Sequence, residues 1–281
     1  MAMRPVFLNA CDNILSDFLQ TMAALSAERA AAVNAAGLTA ATPAVPLVLD
    51  QFDIIAEIKD RSPSEGELAS VNSDRREQAL RYASGGAAAI SVLTEPSRFA
   101  GSLEHLQEVV EAVPETPVMC KDFLVDPVQI VVARGAGASG VLLIAAMLGD
   151  DKLSDMLDCA FEHDMFVLLE AFDASDLNRV SALLERSVYQ DRAERAQLLV
   201  GVNTRNLRTL EVDAVRLQKL APLLPRAKCV AESGLHSADD AASAAANGYQ
   251  LALVGSALMR SSDPATLVAD MRSAGNAVLA A

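Results

Sequence analysis

Charged and amide side chains follow several short apolar segments of this sequence, and together these residue types could carry out proton transfer. The residues are Glu57, Lys59, Lys121, Glu170, Asn203 and Glu232. Glu57 and Lys59 would share one face of their segment because side chains alternate along a strand. Lysines and glutamates that are held together can neutralise one another, while crowding moves some of their pKa values toward neutrality. The set therefore predicts acid–base chemistry at neutral pH.

Small residues and hydroxyls follow other apolar segments and could bind an anion. Ser233 and Gly234 follow the seventh segment, and Gly255 and Ser256 follow the eighth. Glycine lets backbone N–H groups approach a ligand closely, and barrels of parallel strands often bind phosphate after their last two strands. Ser62, in the turn after the first segment, could complete such a site. The sequence therefore favours a phosphorylated small molecule as the ligand.

No residue pattern indicates a metal or a cofactor. The cysteines are widely spaced and form no C-x-x-C pair, and the histidines are equally dispersed. Neither a zinc site nor a disulfide framework is therefore expected. Three carboxylates mixed with two ammonium groups would also be an unusual magnesium site. We expect chemistry that needs no metal.

The overall composition argues against several classes of protein. Of the 281 residues, 52% are hydrophobic and 21% are charged, so the chain can bury a core. The net charge of -14 argues against nucleic-acid binding. The longest apolar run, 141–148, is far shorter than the roughly 20 residues that span a membrane, and the N-terminus does not resemble a secretory signal. We expect a cytoplasmic protein without membrane contact, either a monomer or a weak homo-oligomer.

Apolar segments and helical patterns alternate from about residue 50 onward, which is typical of a parallel sheet with crossover helices. The predicted strands are 54–58, 88–93, 117–120, 140–144, 166–169, 198–202, 229–231 and 251–254. The predicted helices between and after them are 74–84, 102–112, 127–136, 151–163, 175–184, 213–220, 238–247 and 264–274. Eight such units predict an α/β fold, a (β/α)8 TIM barrel over residues 49–281. Residues 1–48, with a helix over 12–36, are predicted to form an N-terminal helical extension that packs on the barrel.

An open doubly wound sheet would also alternate strands and helices, but it often carries a G-x-G-x-x-G turn after its first strand. That turn is absent, and the glycines at 135–140 precede a strand instead of opening a helix. The barrel is therefore the better interpretation. Its active site lies at the C-terminal ends of the strands, which is where the charged residues fall.

Several motifs resemble those of the indole-3-glycerol phosphate synthase family, in the family's order from about residue 52 to 264. They are IAEIKDRSPS at 55–64, ISVLTE at 90–95, FAGSL at 99–103, KDF at 121–123, GVNTRNL at 201–207, AESG at 231–234 and VGSALMR at 254–260. The resemblance implies an enzyme of tryptophan biosynthesis that needs no cofactor. Such an enzyme converts 1-(2-carboxyphenylamino)-1-deoxyribulose 5-phosphate to indole-3-glycerol phosphate, with release of carbon dioxide and water.

The resemblance also implies a role for each catalytic residue. Lys121 corresponds to the general acid that protonates the carbonyl oxygen, and Lys59 to a second lysine that contacts the substrate carboxylate and assists dehydration. Glu170 corresponds to the general base, with Glu57 as an alternative proton acceptor. The remaining pair, which would orient the substrate and the lysines, is Asn203 and Glu232.

Binding roles are implied in the same way. Phe123 and Leu142 would contact the anthranilate ring, and Leu253 is a further substrate-binding residue. Arg205 and Ser233 would help to position the substrate. The residues expected to bind the phosphate are Ser62, Gly234, Gly255 and Ser256. The N-terminal segment departs from the family because it lacks the usual lysine- and glutamate-rich helix, and Glu65 stands where the family usually has lysine.

Three alternatives remain open at this point. Related phosphate-binding barrels such as phosphoribosylanthranilate isomerase or the tryptophan synthase alpha subunit are disfavoured because they are not expected to carry the pair Lys59 and Lys121. A non-catalytic phosphate-binding barrel would be favoured by the loss of a catalytic position, and none is lost. A paralogue that serves a specialised indole pathway could keep every residue named above.

Overall fold

The computed structural model of the protein describes residues 10–33, 42–62, 66–67, 74–205, 213 and 215–281. Its main sheet consists of β1 (Asp53–Ile58), β2 (Ala89–Leu93), β3 (Val118–Lys121), β4 (Gly140–Ile144), β5 (Phe166–Ala171), β6 (Leu198–Asn203), β7 (Lys228–Glu232) and β8 (Leu251–Val254). These strands are all parallel to their neighbours and form a closed barrel, in which β1 pairs with both β2 and β8. The predicted (β/α)8 barrel is therefore confirmed, and each strand lies within two residues of its predicted bounds.

Helices cover the outside of the barrel. They are α1 (Ala10–Ala31), α2 (Arg75–Ser84), α3 (Pro96–Phe99), α4 (Leu103–Ala112), α5 (Pro127–Gly135), α6 (Asp150–Glu162), α7 (Ala174–Leu184), α8 (Ser187–Glu194), α9 (Arg216–Leu220), α10 (Ala238–Ala246), α11 (Ser256–Arg260) and α12 (Pro264–Leu279). Two 3-10 turns, Ala145–Met147 and Ala221–Leu223, and a short antiparallel strand pair, Arg61–Ser62 with Gly66–Glu67, complete the described elements.

Side-chain caps explain why several helices begin where the sequence predicts. The Asp74 carboxylate accepts hydrogen bonds from the first-turn N–H groups of α2, and Ser102 does the same for α4. Asp126 and Ser237 form capping boxes at the starts of α5 and α10. Each cap satisfies N–H groups that have no partner within the helix. The caps thereby fix where each crossover leaves the strand before it.

The alternation of side chains along the strands produces two separate apolar cores. Residues such as Ile54, Val141 and Val200 face outward and pack against the helices. Residues such as Ile55 and Leu168 face inward and fill the centre of the barrel. Because every strand is buried on both faces, the strands read as continuous apolar runs in the sequence.

The N-terminal helix α1 lies against the barrel near the ends of the strands. Arg29 donates to both carboxylate oxygens of Asp122, at 2.9 and 2.7 Å, directly after β3. The amide of Gln129 in α5 donates to the Ser26 hydroxyl at 2.8 Å. The ring of Phe18 meets the ring of Phe123 edge-on at 5.9 Å. The helix ends at Ala31, so its predicted end at residue 36 is wrong, and residues 34–41 lie outside the described part of the chain.

Two further regions differ from a simple strand–helix alternation. The charged stretch at 185–197 contains α8, and its Tyr189 is fully buried and donates a hydrogen bond to Asp158 in α6. The predicted helix at 213–220 is shorter and begins at Arg216. Among the described residues, no helix is long and apolar enough to cross a membrane.

Candidate functional site

The charged residues predicted from the sequence lie at the C-terminal ends of the strands. Glu57, Glu170 and Glu232 stand at or near the ends of β1, β5 and β7, and each is at most 3% exposed. Lys121 and Asn203 are the last residues of β3 and β6. Pairing places Asn203 beside Glu232 in the ladder between β6 and β7. The barrel therefore brings together residues that are dispersed over most of the chain.

Glu57 bridges the two lysines. Its Oε2 lies 2.9 Å from the Lys121 Nζ, and its Oε1 lies 3.2 Å from the Lys59 Nζ. Burial alone would raise the pKa of Glu57, but Lys121 and then Lys59 outweigh it and lower the pKa to about 2. Burial would lower the pKa of Lys121, but Glu57, Glu170 and Glu232 together raise it. Glu57 and Lys121 therefore both stay charged at neutral pH.

Glu170 and Glu232 behave in the opposite way and form a carboxyl pair. Burial raises the pKa of Glu170, and Lys121 offsets this only in part. Burial and the neighbouring Glu170 raise the pKa of Glu232 well above its usual range. Asn203 accepts the Arg205 N–H at its Oδ1, 2.9 Å away, and its amide hydrogen-bonds Glu170. This pair holds a proton at a pH where Glu57 holds none.

Two glycines make room for these carboxylates. A Cβ on Gly201, in β6, would overlap Oε1 of Glu232 and lie 3.1 Å from its Cδ. A Cβ on Gly255, after β8, would overlap Oε1 of Glu57 and lie 3.2 Å from the Lys59 Nζ. Gly201 stands in the motif at 201–207, but no role was assigned to it from the sequence, because a close approach between two strands leaves no signal in the order of residues.

The residues predicted to bind phosphate lie after β1, β7 and β8. Ser233 and Gly234 follow β7 with φ angles of 65° and 75°, a left-handed conformation that glycine adopts more readily than serine. Gly255 precedes α11, whose first residue is Ser256. Ser62 lies in the short strand pair after β1, and only its backbone is described. Glu65 lies outside the described residues.

An apolar wall stands beside the charged cluster. Phe123, Leu142 and Leu253 belong to the inner core, together with Leu19 and Met22 of α1. This grouping places one face of α1 over the apolar side of the barrel mouth.

Three further residues lie here to which no role was assigned from the sequence, although Ser91 and Phe99 stand in the quoted motifs. The ring of Phe99 lies 6.2 Å from the ring of Phe123. The ring of Phe18, in α1, contacts the ring of Phe123 as well. Ser91 pairs with Glu57 in the ladder between β1 and β2, and its buried hydroxyl has no hydrogen-bond partner among the described residues. A lone serine within the apolar run of β2 was the available signal.

Metal ligands are not assembled in the described part of the chain. No group of three or more histidine, cysteine, aspartate or glutamate side chains there is arranged to hold a metal ion. The described cysteines with known side-chain environments, Cys120, Cys159 and Cys229, are free thiols. The groups that the strand ends bring to the mouth are the lysines, carboxyls and amide already described.

Two solved structures show the same fold. The 3-hexulose-6-phosphate synthase of Salmonella typhimurium matches 81% of this chain and all of its own chain, with a TM-score of 0.59 at 15% identity. A thiamine phosphate pyrophosphorylase from Pyrococcus furiosus matches 82% of this chain and 98% of its own, with a TM-score of 0.54 at 14% identity. At this level of identity the likeness concerns the fold alone.

Sequence comparison identifies the family. The family model of indole-3-glycerol phosphate synthase matches residues 20–271. An indole-3-glycerol phosphate synthase from Nocardioides sp. (strain JS614) is 44% identical over 262 residues, which cover 90% of this chain and 95% of that protein. Another from Paenarthrobacter aurescens (strain TC1) is 39% identical over 263 residues, which cover 93% and 92%. The chain belongs to the indole-3-glycerol phosphate synthase family, the decarboxylating lyases of tryptophan biosynthesis.

Proposed function

We propose that the charged cluster at the barrel mouth performs the complete reaction of the family. The anthranilate ring of 1-(2-carboxyphenylamino)-1-deoxyribulose 5-phosphate attacks the ketone, and carbon dioxide and water then leave to give indole-3-glycerol phosphate. The observation that carries this proposal is the Glu57 carboxylate, which holds Lys59 and Lys121 at 3.2 and 2.9 Å. One fixed cation can stabilise the negative charge that develops on the ketone oxygen during ring closure, and the other can bind and orient the substrate carboxylate before carbon dioxide leaves.

Lys121 is the residue best suited to the ketone oxygen. It is held by Glu57 and remains protonated, because three carboxyl groups around it raise its pKa. A buried ammonium group stabilises a developing alkoxide more strongly than it would in water and can transfer a proton to it. Lys59, on the other side of Glu57, is then available for the substrate carboxylate and for the dehydration step.

Glu170 is a better general base than Glu57. A general base works best when its pKa lies near the operating pH, and the pKa of Glu57 is held at about 2. The pKa of Glu170 is raised instead, mainly by burial. We therefore assign proton removal to Glu170 and the anchoring of both lysines to Glu57. Asn203 and Glu232 orient Glu170 from the next two strands.

The substrate is an anionic sugar phosphate, and its groups are assigned to different strands. The phosphate binds where loops follow β1, β7 and β8, at Ser62, Gly234, Gly255 and Ser256. The aromatic ring lies against the apolar wall of Phe123, Leu142 and Leu253. Arg205 and Ser233 contact the substrate between these two regions. The apolar wall and the positions of these small residues after the strands support this orientation.

The remaining assignments follow from this function. The reaction requires no cofactor or metal, because lysine and carboxyl groups supply every proton transfer. Residues 1–48 act as a helical extension of the barrel domain at 49–281, and α1 contributes to the wall around the aromatic ring. The enzyme acts in the cytoplasm on a free small molecule, as a monomer or a weak homo-oligomer, without nucleic-acid or membrane partners.

The direct test is turnover of the carboxyphenylamino-deoxyribulose phosphate by the purified protein. We expect the fluorescence of the indole product to appear together with one carbon dioxide per product. A dephosphorylated substrate should react with a much higher KM, because it lacks the group that anchors it. Folded protein that releases no product above a heat-inactivated control would refute the proposal.

The same assay separates the alternatives. A non-catalytic barrel would bind the substrate without releasing carbon dioxide, and an isomerase would produce no indole. A paralogue of a specialised pathway would turn over the substrate as well. Complementation of a tryptophan auxotroph that lacks its own synthase distinguishes that case, because it requires flux to tryptophan in the cell.

A further inference from the structure

Gly201 occupies an unusual position in the lining of the barrel. It lies on the inner face of β6 between Leu199 and Asn203, and it pairs with Glu170 of β5 in the ladder. A Cβ added there would overlap Glu232 Oε1 and would also lie 3.2 Å from the Leu168 Cδ1. The missing side chain therefore leaves a recess, bordered by an apolar residue, that the Glu232 carboxyl fills.

The carboxyl in this recess lacks donors. Glu232 is 1% exposed, and neither of its carboxyl oxygens has a hydrogen-bond partner among the described residues. The group within hydrogen-bonding reach is another carboxyl, that of Glu170. The Lys121 ammonium and the Glu57 carboxylate act on Glu232 through their charges. Two carboxylates cannot hydrogen-bond each other unless one of them carries a proton. A buried acid in this position is satisfied only when the pair retains one proton.

We propose that Gly201 is a positioning residue for the reaction: its recess holds the Glu232 carboxyl against Glu170, so that the two carboxyls share one proton. The shared proton resides on Glu232, which donates to Glu170 and leaves Glu170 as the ionised base. This inference rests on the assignment of Glu170 as the base in the proposed function. It concerns a glycine, which has no side chain that could take part in the reaction.

The recess has a defined effect on the pH dependence of turnover. Adding a second proton to the pair breaks the shared hydrogen bond. This proton is therefore bound only at low pH, so kcat falls on the acid side only at low pH. Removing the shared proton places two negative charges side by side. The proton is therefore lost only at high pH, so kcat falls on the basic side only at high pH. If the carboxyls are separated, both effects are lost. The acid limb of the kcat profile then moves to higher pH and the basic limb to lower pH, so the pH range in which the enzyme is active narrows from both sides.

Gly201→Ala is the variant that separates them. We expect a loss in kcat of roughly 10- to 100-fold at the optimum, as for small displacements of catalytic groups, together with the narrowed window. Gly149→Ala, just before α6, is the matched control, because a Cβ there meets nothing within 4 Å. A Gly201→Ala profile that is lowered uniformly, with both limbs unmoved, would mean that the added methyl only disturbs the strand.

A shorter acid provides the rescue. Glu232→Asp withdraws the carboxyl from the recess, so a methyl group added at position 201 no longer overlaps it. We expect the double variant Gly201→Ala, Glu232→Asp to be at least tenfold more active than the product of the two single effects predicts. Additive effects would overturn the proposal. If Gly201→Ala does not fold, Glu232→Asp alone must still narrow the window, and unchanged limbs would count against the recess.

Titration of the free protein separates this inference from the function it rests on. Carbon-13 NMR of labelled glutamate side chains follows Glu170 and Glu232 without substrate. Two coupled titration steps in wild type that approach each other in Gly201→Ala support the recess even if the wild type shows no turnover. Independent titration of the two carboxyls in wild type overturns the recess, even if the enzyme is fully active.

Discussion

Two layers of the barrel interior lie only two residues apart along the same strands, yet they behave in opposite ways. In the lower layer, Ile55 precedes Glu57, Met119 precedes Lys121, and Leu168 precedes Glu170. A single step of the strand repeat converts an apolar contact into a charged group. The lower layer is free of polar side chains in these three strands, and the upper layer contains the ionisable groups of the mouth.

The two layers contribute opposite terms to stability. Burial of large apolar side chains stabilises the fold by about 1.5–3 kcal/mol each. The carboxyls of Glu170 and Glu232 are equally buried, but each has an oxygen without a hydrogen-bond partner among the described residues. Such groups destabilise the folded state. The contrast indicates that apolar burial in the lower layer offsets the destabilisation caused by the buried ionisable groups of the upper layer.

Removal of Lys121 should produce the largest effect and should affect only the upper layer. Lys121→Ala removes the cation proposed for the ketone oxygen, and we expect kcat to fall by about 10² to 10³. The variant should remain folded, because Glu57 retains Lys59 at 3.2 Å. Lys152→Ala, which removes a partly exposed lysine from α6, is the control. Near-normal kcat in Lys121→Ala would remove the distinction between the layers at β3.

A cavity in the lower layer should affect stability and spare turnover. Leu251 is fully buried on the inner face of β8, and Leu251→Ala should lower the free energy of unfolding by about 3 kcal/mol. We expect kcat per folded molecule to stay within a few-fold of wild type. Leu80→Ala, at an exposed position of α2, should change stability by less than about 0.5 kcal/mol in urea titrations. Loss of kcat in folded Leu251→Ala would show that the layers are not independent.

Neutralising Glu232 should raise stability while it lowers activity. The pKa of the Glu232 carboxyl is raised in the folded protein. The free energy of unfolding therefore falls as pH rises from the pKa of this carboxyl in the unfolded chain toward its pKa in the folded protein. The glutamine in Glu232→Gln does not titrate. The variant should therefore be no more stable than wild type at low pH, but its free energy of unfolding should exceed that of wild type by about 1–2 kcal/mol at higher pH. Thermal unfolding between pH 4 and 9 measures this difference. Parallel curves for the two proteins would mean that Glu232 is no burden on the fold.

The attachment of α1 should contribute least. Arg29 is partly exposed, although its partner Asp122 is buried, so Arg29→Ala should destabilise the protein by about 1 kcal/mol. Arg76→Ala removes a more exposed pair with Glu111 and serves as the control, with an effect near zero. Urea titrations and KM report whether the attachment belongs to stability or to the site. An increase in KM without a loss of stability would show that α1 contributes to substrate binding, as the upper layer does, and not to the stability of the fold.

Much of this organisation could be predicted because the parallel barrel imposes simple rules. Buried strands such as β4 and β8 appear as apolar runs with sharp ends, and their predicted bounds are confirmed without change. Side chains at the ends of parallel strands must converge, so Glu57 and Lys121 could be brought together without coordinates. The motifs in the sequence also indicated the family, and the family model and the relatives confirm it.

The features that could not be predicted depend on contacts across the barrel. Gly201 is an ordinary strand residue in the sequence, and only the inward lean of Glu232 explains why a larger residue would not fit. The opposite pKa directions of Glu57 and Glu170 depend on which carboxyl lies nearer to the lysines. The helix α3 depends on the Glu95 side chain, which accepts three backbone N–H groups at its start. Local patterns contain none of these distances.

The contact between Gly255 and Glu57 has a consequence for folding kinetics. Gly255 directly follows the last strand, β8, and Glu57 lies in the first strand, β1, which pairs with β8 as well as with β2. Pairing between strands so distant in sequence is slow, because the intervening chain must be ordered first. A refolding molecule therefore has no complete site until the ring has closed. Recovery of turnover during refolding should lag behind recovery of helical circular dichroism, so that activity reports the closing of the ring.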